Sequence, residues 1–289
     1  MNRYIALQKI VELGSFTKAA EALGYTQSAV SQMMASLENE LSIKLLYRSR
    51  MGVRLTEDGK ALFPYIEKTA YQYRAMLEKA GEIKGLDSGT IRIGTVSSVS
   101  CHWLPQLIKE FEGLHPNIQF VLHQGDYSSI GEWIRSGAVD FGFITPAAVT
   151  DIQTKIIKEG RMLAVLPEEH PLAASDTVRL DALCKEPFIL LEEGHYSEPL
   201  ECFRSCGLKP AIKYIIHDDY TIMTMVEAGL GVSVLAELVL KRAGYHITVR
   251  PTEPEIHRVM AIGCKDKNNL PAAGRAFIDY LMQNRARLL

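Results

Sequence analysis

Polar side chains that can read DNA bases are concentrated between residues 26 and 32. Glutamine can form paired hydrogen bonds with adenine, and alanine can contact the methyl group of thymine. The segment presents these groups on the early turns of one predicted helix. The residues that we expect to contact DNA there are Thr26, Gln27, Ser28, Ala29, Ser31 and Gln32. Taken alone, they also fit an ordinary amphipathic helix whose polar face is solvated.

A short basic segment follows, and its arginines are suited to binding phosphate groups. Lys44, Arg48, Arg50 and Arg54 occur there without an intervening acidic residue. The flanking sequence predicts two short extended pieces around residues 50–52, which is the pattern of a hairpin or wing. We expect Arg48, Arg50 and Arg54 to bind DNA phosphates beside or within the minor groove. A solvated surface is the plain alternative for a run of charges.

Hydroxyl and acidic side chains later in the sequence follow predicted strands, where open α/β sheets bind ligands. The candidate ligand-binding residues are Ser97, Ser98, Ser100, Asp126, Thr145, His195 and Asp218. Serines at a helix start suit a carboxylate or sulfate, although they could equally be helix caps. Asp126, Asp218 and Asp219 favour an amine or a hydroxylated ligand if they face the cleft, and indicate nothing if they are solvated. His195 could be a polar contact or a surface residue.

Two helices joined by a tight turn would place the polar segment against DNA. Ala20 is small enough to let a second helix approach, and Gly24 tolerates a positive φ in the turn. Val30 anchors the second helix, and Thr26 can cap it. These offsets are typical of a helix-turn-helix motif.

A long helix is predicted from Thr56 to about Lys84. Apolar and small residues recur there at intervals of four and three, which is the seam of a coiled-coil pair. The seam consists of Leu62, Ile66, Thr69, Tyr73, Met76, Ala80 and Ile83. Pro64 should kink this helix or loosen its first turns. Residues 85–89 read as a short linker.

From Thr90 onward, predicted strands alternate with predicted helices. Such alternation favours parallel α/β sheets. The predicted strands include Ile91–Val96, Met162–Leu166 and Val259–Gly263. The second half of the sequence is therefore expected to form an α/β domain.

Composition and charge narrow the class of protein. The 289 residues are 47% hydrophobic and 23% charged, which excludes a mostly disordered chain. Residues 1–85 carry 12 Lys and Arg against 9 Asp and Glu, whereas the whole chain has a net charge of −2, so the basic excess is local. The sequence has no run of about 20 apolar residues and no secretory signal pattern, so we expect a cytoplasmic protein without membrane contact.

Patterns that indicate catalysis are missing from the sequence. It contains no glycine-rich phosphate loop, nucleophile elbow or Cys/His cluster with zinc spacing. We therefore expect no catalytic residue, no bound metal and no cofactor. The five dispersed cysteines read as reduced thiols.

Several motifs together resemble the N-terminal domain of LysR-type transcriptional regulators. They are Gly14–Leu23, Thr26–Ser31, Leu37–Glu38, Leu45–Arg48, Val53–Thr56 and Gly59. Later segments also resemble landmarks of that family, namely Ile91–Gly94, Gly137–Gly142, His170–Leu172 and Val226–Gly231. Leu46 stands where the family usually has phenylalanine, and Gly52 where many members carry a further basic residue.

The resemblance implies a winged helix-turn-helix, a long linker helix, and a C-terminal two-lobed α/β effector-binding domain like that of periplasmic binding proteins. The implied boundaries are 1–59 for DNA binding, 60–89 for the dimerisation helix and hinge, and 90–289 for effector binding. Within the last domain, lobe I covers about 90–161 and 266–289, and lobe II about 162–265.

The resemblance also implies a sequence-specific regulator whose activity changes when a small effector binds between the lobes. Its expected partners are an interrupted inverted repeat near a promoter, the effector, and further copies of the chain in a dimer or tetramer. RNA polymerase is another candidate partner. In relatives that bind small anions, hydroxyls at the positions of Ser98 and Thr145 line the cleft. The alternative function is a solute-binding protein or an enzyme of the α/β class.

Overall fold

A computed structural model describes residues 2–49, 52–83, 88–241, 244–267 and 270–288. The chain divides into two compact units. The first unit comprises Met1–Leu86 with Ser136–Ala138, and the second comprises Asp87–Arg135 with Val139–Leu289. None of the described helices is both long enough and apolar enough to cross a membrane.

The first unit combines short helices, a hairpin and one long helix. Its elements are α1 (Asn2–Leu13), α2 (Phe16–Leu23), α3 (Gln27–Leu41), β1 (Leu46–Ser49), β2 (Gly52–Leu55) and α4 (Glu57–Ile83). The strands pair antiparallel and form the predicted wing. The helices pack around buried apolar side chains that include Leu7, Ile10, Val30 and Leu37.

Capping interactions determine where α2 and α3 begin. The Ser15 hydroxyl accepts a hydrogen bond from the Lys18 amide at 3.4 Å, and the Thr26 hydroxyl accepts one from the Ala29 amide at 3.2 Å. Gly24 ends α2 with a φ of 69°, a conformation that costs glycine little. Ala20 and Val30 are both buried, so the core that the helix-turn-helix spacing predicts is confirmed.

One carboxylate joins the hairpin to α3. Glu38 accepts hydrogen bonds from the backbone amides of Leu45 at 2.9 Å and Leu46 at 3.3 Å. It also forms an ion pair with Lys44 at 2.7 Å. Backbone amides that would otherwise be unpaired at the hairpin entry are thereby satisfied. Lys44 belongs to the basic segment, but its charge is already paired with Glu38 within the protein.

The start of α4 is fixed by a second polar contact. Thr56 donates a hydrogen bond to the Lys44 carbonyl at 2.6 Å and accepts one from the Gly59 amide at 2.8 Å, which confirms the predicted cap. The helix then continues from Glu57 to Ile83 through Pro64, so the proline does not interrupt it.

The second unit contains the predicted alternation of strands and helices. Its strands are β3 (Gly89–Thr95), β4 (Ile118–Gln124), β5 (Phe141–Ile144), β6 (Gln153–Pro167), β7 (Val178–Arg179), β8 (Pro187–Leu191), β9 (Ala211–Ile216), β10 (Ser233–Ala236) and β11 (Ile247–Cys264). Its helices are α5 (Ser97–His102), α6 (Leu104–Leu114), α7 (Tyr127–Ser136), α8 (Leu180–Leu183), α9 (Glu198–Ser205), α10 (Asp219–Glu227), α11 (Glu237–Leu240) and α12 (Ala272–Asn284).

The main sheet contains parallel and antiparallel strands, so the expectation of parallel sheets holds for only part of it. Its strand order is β10-β6-β11-β5-β3-β4. Strands β3, β4 and β5 are parallel, whereas β6 pairs antiparallel with β10 and β11, and β11 pairs antiparallel with β5. The strands predicted near residues 162 and 259 are much longer than expected, because β6 and β11 run together as one ribbon.

This ribbon connects two lobes, each with its own apolar core. Ile157, Met260 and Ile262 belong to the core around β3, β4 and β5. Met162 and Ile256 belong to a core beside β8 and β10. The sequence placed the return crossing between the lobes near residue 265, whereas the packing places it between Ile256 and Met260.

We expect Gly59→Ala to destabilise the first unit. A Cβ atom at Gly59 would lie 2.3 Å from the Leu45 carbonyl oxygen, so the backbone would have to shift. Strain of this kind typically costs about 1–3 kcal/mol. Hydrogen exchange of the full chain, followed by mass spectrometry, should show a lower opening free energy for the amides of α1–α4.

Gly81→Ala is the matched control because Gly81 lies in the same helix, and a Cβ atom added there would have no atom within 4 Å. This substitution should stabilise α4 by up to about 1 kcal/mol. Equal protection of the α1–α4 amides from hydrogen exchange in the two variants would contradict a tight contact between α4 and Leu45.

Candidate functional site

The start of α3 presents the predicted base-reading residues at the surface. Gln27, Ser28 and Gln32 are exposed, while Ala29 and Ser31 are partly buried. The Gln27 amide nitrogen donates to the Ser31 hydroxyl at 3.4 Å. The Thr26 and Ser28 hydroxyls lie 3.0 Å apart. The helix therefore offers a face of hydroxyl and amide groups that are ordered by contacts with one another.

Arg48 lies beside this face. Its guanidinium donates to the Ser31 hydroxyl at 3.0 Å and lies 3.8 Å from the centre of the Phe16 ring. A cation over an aromatic ring is held by the ring's negative face. The positive charge is thus positioned next to the polar start of α3.

Arg54 adds a second exposed charge on the hairpin. It lies on β2 directly opposite Tyr47, whose side chain is 65% exposed. Tyr47 is a surface candidate that sequence reasoning missed, because an exposed aromatic on a strand looks like a core residue. Arg50, the third predicted phosphate-binding arginine, lies outside the described residues.

A cavity of about 340 Å³ lies at the carboxyl ends of the parallel strands in the second unit. Its walls come from the segments after β3, β4, β8 and β9, which is where open α/β sheets bind ligands. The lining residues are Val96, Ser97, Gln124, Gly125, Asp126, Leu191, Glu192, Glu193, His217 and Asp219. This volume suits a small organic molecule.

The predicted serines have three different environments. Ser97 lines the cavity and its hydroxyl donates to the Asp219 carboxylate. Ser98 is 2% exposed and accepts a hydrogen bond from Arg258 at 3.1 Å. The Ser100 hydroxyl lies within hydrogen-bond distance of the Val96 and Ser97 carbonyls and of the Gln124 side-chain oxygen, and its single proton can be donated to one of them at a time. None of these three hydroxyls caps α5, whose N-cap is Val96, so the helix-cap alternative is wrong.

Of the other predicted ligand-binding residues, only Asp126 is in the cavity wall. Thr145 is 2% exposed and lies outside that wall. His195 has an exposed side chain, and its backbone amide, not its ring, donates to the Ser128 hydroxyl at 2.9 Å. Asp218 caps α10 by accepting from the Thr221 amide at 2.8 Å, which leaves its neighbour Asp219 facing the cavity.

A buried ionic cluster that the sequence did not reveal lies next to the cavity. Arg258 on β11 is 7% exposed and donates to Tyr127 at 2.6 Å, to Ser98 at 3.1 Å and to Glu193 at 3.2 Å. Tyr127 in turn donates to Glu198 at 3.2 Å. Since Tyr127 is on α7 and Glu198 is on α9, this cluster joins both lobes to the ribbon.

The cluster holds more acid than its arginine can balance. Burial, together with the neighbouring carboxylates of Glu198 and Asp219, raises the pKa of Glu193 to about 8 in spite of Arg258. Burial likewise raises the pKa of Glu198 and of Asp219. At least one of these carboxyls therefore keeps its proton near neutral pH.

One signal in the sequence could have indicated that Arg258 is buried. It alternates with Ile256 and Met260 on one face of a strand, and both of these neighbours are apolar and buried. Its partners could not have been found in this way, because Arg258 is separated from Glu193 by 65 residues and from Ser98 by 160 residues. Within the described residues, no three His, Cys, Asp or Glu side chains form a group that could hold a metal ion.

Comparison with known proteins places both units in one family. The family model described as "Bacterial regulatory helix-turn-helix protein, lysR family" matches residues 1–60. The model described as "LysR substrate binding domain" matches residues 84–286. The uncharacterised HTH-type transcriptional regulator YvbU of Bacillus subtilis (strain 168) is 32% identical over 274 residues, which are 94% of each chain.

Solved structures have the same fold. A full-length OxyR variant from Pseudomonas aeruginosa superposes with a TM-score of 0.73 at 26% identity, covering 99% of this chain and 93% of that one. Full-length CbnR in complex with its target DNA superposes with a TM-score of 0.68 at 18% identity, covering 98% of both chains. The effector-binding domain of QuiR in complex with shikimate superposes with a TM-score of 0.62 at 22% identity, covering 69% of this chain and 98% of that one.

The raised pKa of Glu193 predicts how stability depends on pH. In the folded chain the carboxyl keeps its proton up to about pH 8, against an ordinary pKa of 4.5. The folded state therefore binds this proton more tightly, and the resulting stabilisation is lost as pH rises through this window. Glu193→Gln mimics the protonated carboxyl, so its thermal midpoint should fall less between about pH 5 and about pH 8.5 than that of the wild type.

Thermal unfolding of the full chain at several pH values tests this expectation. Glu112→Gln is the matched control because Glu112 is an exposed acid on α6 of the same unit. It should keep the wild-type dependence on pH. A Glu193→Gln variant with the full wild-type slope would mean that Glu193 is ionised in the folded protein at neutral pH.

Proposed function

The chain belongs to the LysR family of bacterial transcriptional regulators, and from this premise we propose which of its surfaces bind DNA, effector and a second copy. It is a DNA-binding regulator whose activity is modulated by a small-molecule effector. Its relatives are transcriptional regulators. We propose that it acts by binding and not by catalysis.

The DNA-binding surface that we propose is the start of α3 together with the hairpin. The observation that carries it is the contact of Arg48 with Ser31, which puts a positive charge directly beside exposed amide and hydroxyl groups. Phosphate contacts orient such a surface, and side-chain contacts in the groove read the bases. The proposed contact residues are Thr26, Gln27, Ser28, Ala29, Ser31, Gln32, Arg48, Arg50 and Arg54.

The surface that we propose for self-association is the solvent-facing stripe of α4. Members of the family form homo-oligomers, and the two-fold symmetry of a protein dimer matches the two halves of an inverted repeat in DNA. Tyr65 is 71% exposed and Met76 is 56% exposed on this helix. Thr69 and Ala80, which belong with Met76 to the predicted seam, are exposed as well. A second α4 would cover these apolar groups.

The effector site that we propose is the 340 Å³ cavity of the second unit. Of the residues that the sequence suggested, Ser97, Asp126 and Asp219 would contact the effector. Gln124, Glu192, Glu193 and His217 join them because they line the same space. Ser98 would act indirectly, since its hydroxyl accepts a hydrogen bond from Arg258.

Replacing the hairpin arginines should weaken DNA binding on every sequence. Arg48→Ala and Arg54→Ala each remove one phosphate contact, so the slope of log affinity against log salt should decrease by about one. Fluorescence anisotropy of the full chain on a duplex of random sequence measures this slope.

Lys155→Ala serves as the control because Lys155 is an exposed cation on β6 of the second unit. For Lys155→Ala, the slope of log affinity against log salt should equal that of the wild type. Unchanged slopes in both arginine variants would exclude the hairpin from the phosphate contacts, and no measurable DNA binding by the wild type would contradict the proposed function itself.

A carboxylate in the apolar stripe of α4 should weaken self-association. Burying an unpaired charge in an apolar interface is costly, so Met76→Glu should raise the dissociation constant of the dimer at least about tenfold. Lys68→Glu places the same group on an exposed flank of α4 and should leave the dimer intact. Sedimentation velocity of the full chain distinguishes the two, and equal masses for both variants would put the dimer interface elsewhere.

A further inference from the structure

The cavity in the second unit is strongly acidic. Asp126, Glu192, Glu193 and Asp219 contribute to its wall, and none of its described lining residues is a lysine or an arginine. Low-dielectric walls with charges of one sign concentrate ligands of the opposite sign. An anionic ligand would have to be buried among these carboxylates.

Two of the acids are almost completely buried and still have acceptor capacity. Glu193 is 7% exposed, and its Oε1 atom accepts from Arg258, while none of the described residues donates to its Oε2 atom. Asp219 is 6% exposed, and Ser97 is the side chain that donates to it. Neither carboxyl has an oxygen that is both fully buried and without a partner, so the acceptor positions left open on these oxygens can be reached from the cavity, where N–H groups of a ligand can donate to them.

The starts of two helices beside the cavity, and the buried arginine next to it, are already occupied by groups of the protein itself. The start of α7 is capped by Asp126, which accepts from the Ser129 amide at 2.8 Å. The start of α10 is capped by Asp218 in the same way. Arg258 is committed to Tyr127, Ser98 and Glu193. The positive ends of both helices are thereby neutralised.

On these grounds, and resting on the effector-responsive function proposed above, we propose that the cavity binds a small organic cation with a protonated amine or guanidinium group. Its N–H groups donate to the carboxylate oxygens of Glu193 and Asp219 on the cavity wall. Its apolar part contacts Val96 and Leu191 on the cavity wall. The volume of about 340 Å³ is near the lower end for ligand sites and suits a compound of amino-acid size.

Binding of such a cation is coupled to a proton. Because burial and nearby acids raise the pKa of Glu193 to about 8, this carboxyl is largely protonated at neutral pH when no cation lies beside it. A cation favours the ionised form, so it displaces the proton and binds more tightly as pH rises. The charged or titratable groups around Glu193 are Arg258 on β11, Tyr127 on α7, Glu198 on α9, Asp219 on α10, and Asp126, Glu192 and His217 on the cavity wall.

Isothermal titration calorimetry of the full chain tests the proposal. The cationic probes are agmatine, putrescine and lysine, the anionic probe is glutarate, and MgCl₂ represents a metal ion. We expect at least one cationic probe to bind, with higher affinity at pH 8 than at pH 6 and with release of protons to the buffer. Glutarate and Mg²⁺ should not bind in the cavity.

Variants of the cavity wall identify the site. Asp219→Asn keeps an acceptor for Ser97, and Asp126→Asn keeps a good cap for α7, so both remove charge with little structural change. Asp219→Asn should weaken the bound cation at least about tenfold, which is about 1.4 kcal/mol. Glu193→Gln should abolish the dependence of affinity on pH. Glu112→Gln, the exposed control on α6, should behave as the wild type.

The outcomes separate this inference from the function on which it rests. Binding of glutarate that Asp126→Asn strengthens, binding of Mg²⁺ in place of the amines, or binding by none of the cationic probes would each overturn the cationic class. DNA binding by the same preparation, measured by fluorescence anisotropy, is independent of these results. If the protein binds DNA but none of the amines, the proposed function stands and this inference fails.

Discussion

The structure of the second unit depends on a guanidinium that has been removed from water. Such a charge is costly unless its N–H groups are bonded and its charge is balanced. For Arg258 the partners are two hydroxyls and a carboxylate, from Ser98, Tyr127 and Glu193. Because these partners lie on both lobes, solvation of the cation requires that the lobes stay close. The relative placement of the lobes is therefore an electrostatic requirement as much as a packing one.

The same cluster links the contact between the lobes to the cavity that we propose as the effector site. Glu193 contacts Arg258 with one oxygen and lines the cavity. Any group that binds to this carboxyl from the cavity side also changes the balance of charge around the arginine. A switch in this family needs a ligand that favours one arrangement of the lobes. A carboxyl shared by the ligand site and the interlobe contact is well placed to provide this preference.

How much could be predicted from the sequence depended on how far apart the interacting residues are. The helix-turn-helix was predictable because Ala20, Gly24 and Val30 lie within one short stretch, and their roles follow from backbone geometry. The ends of the predicted strands located the cavity and pointed to Ser97, Asp126 and Asp219. Thr145 followed a strand too, but the sequence does not show that it is buried away from the cavity. The Arg258 cluster depends on tertiary contacts that no local pattern encodes.

The ribbon of β6 and β11 has a mechanical consequence for the two lobes. Its backbone ladder is continuous from Gln153 to Pro167 apart from shifts of register between Pro251 and Ile256 and between Met260 and Ala261. Hydrogen-bonded strands resist stretching and sliding, whereas irregular positions in a ladder permit bending. Arg258 lies between the two irregular positions. We therefore expect the lobes to tilt about the part of the ribbon around Arg258, while the backbone hydrogen bonds resist sliding of one lobe past the other.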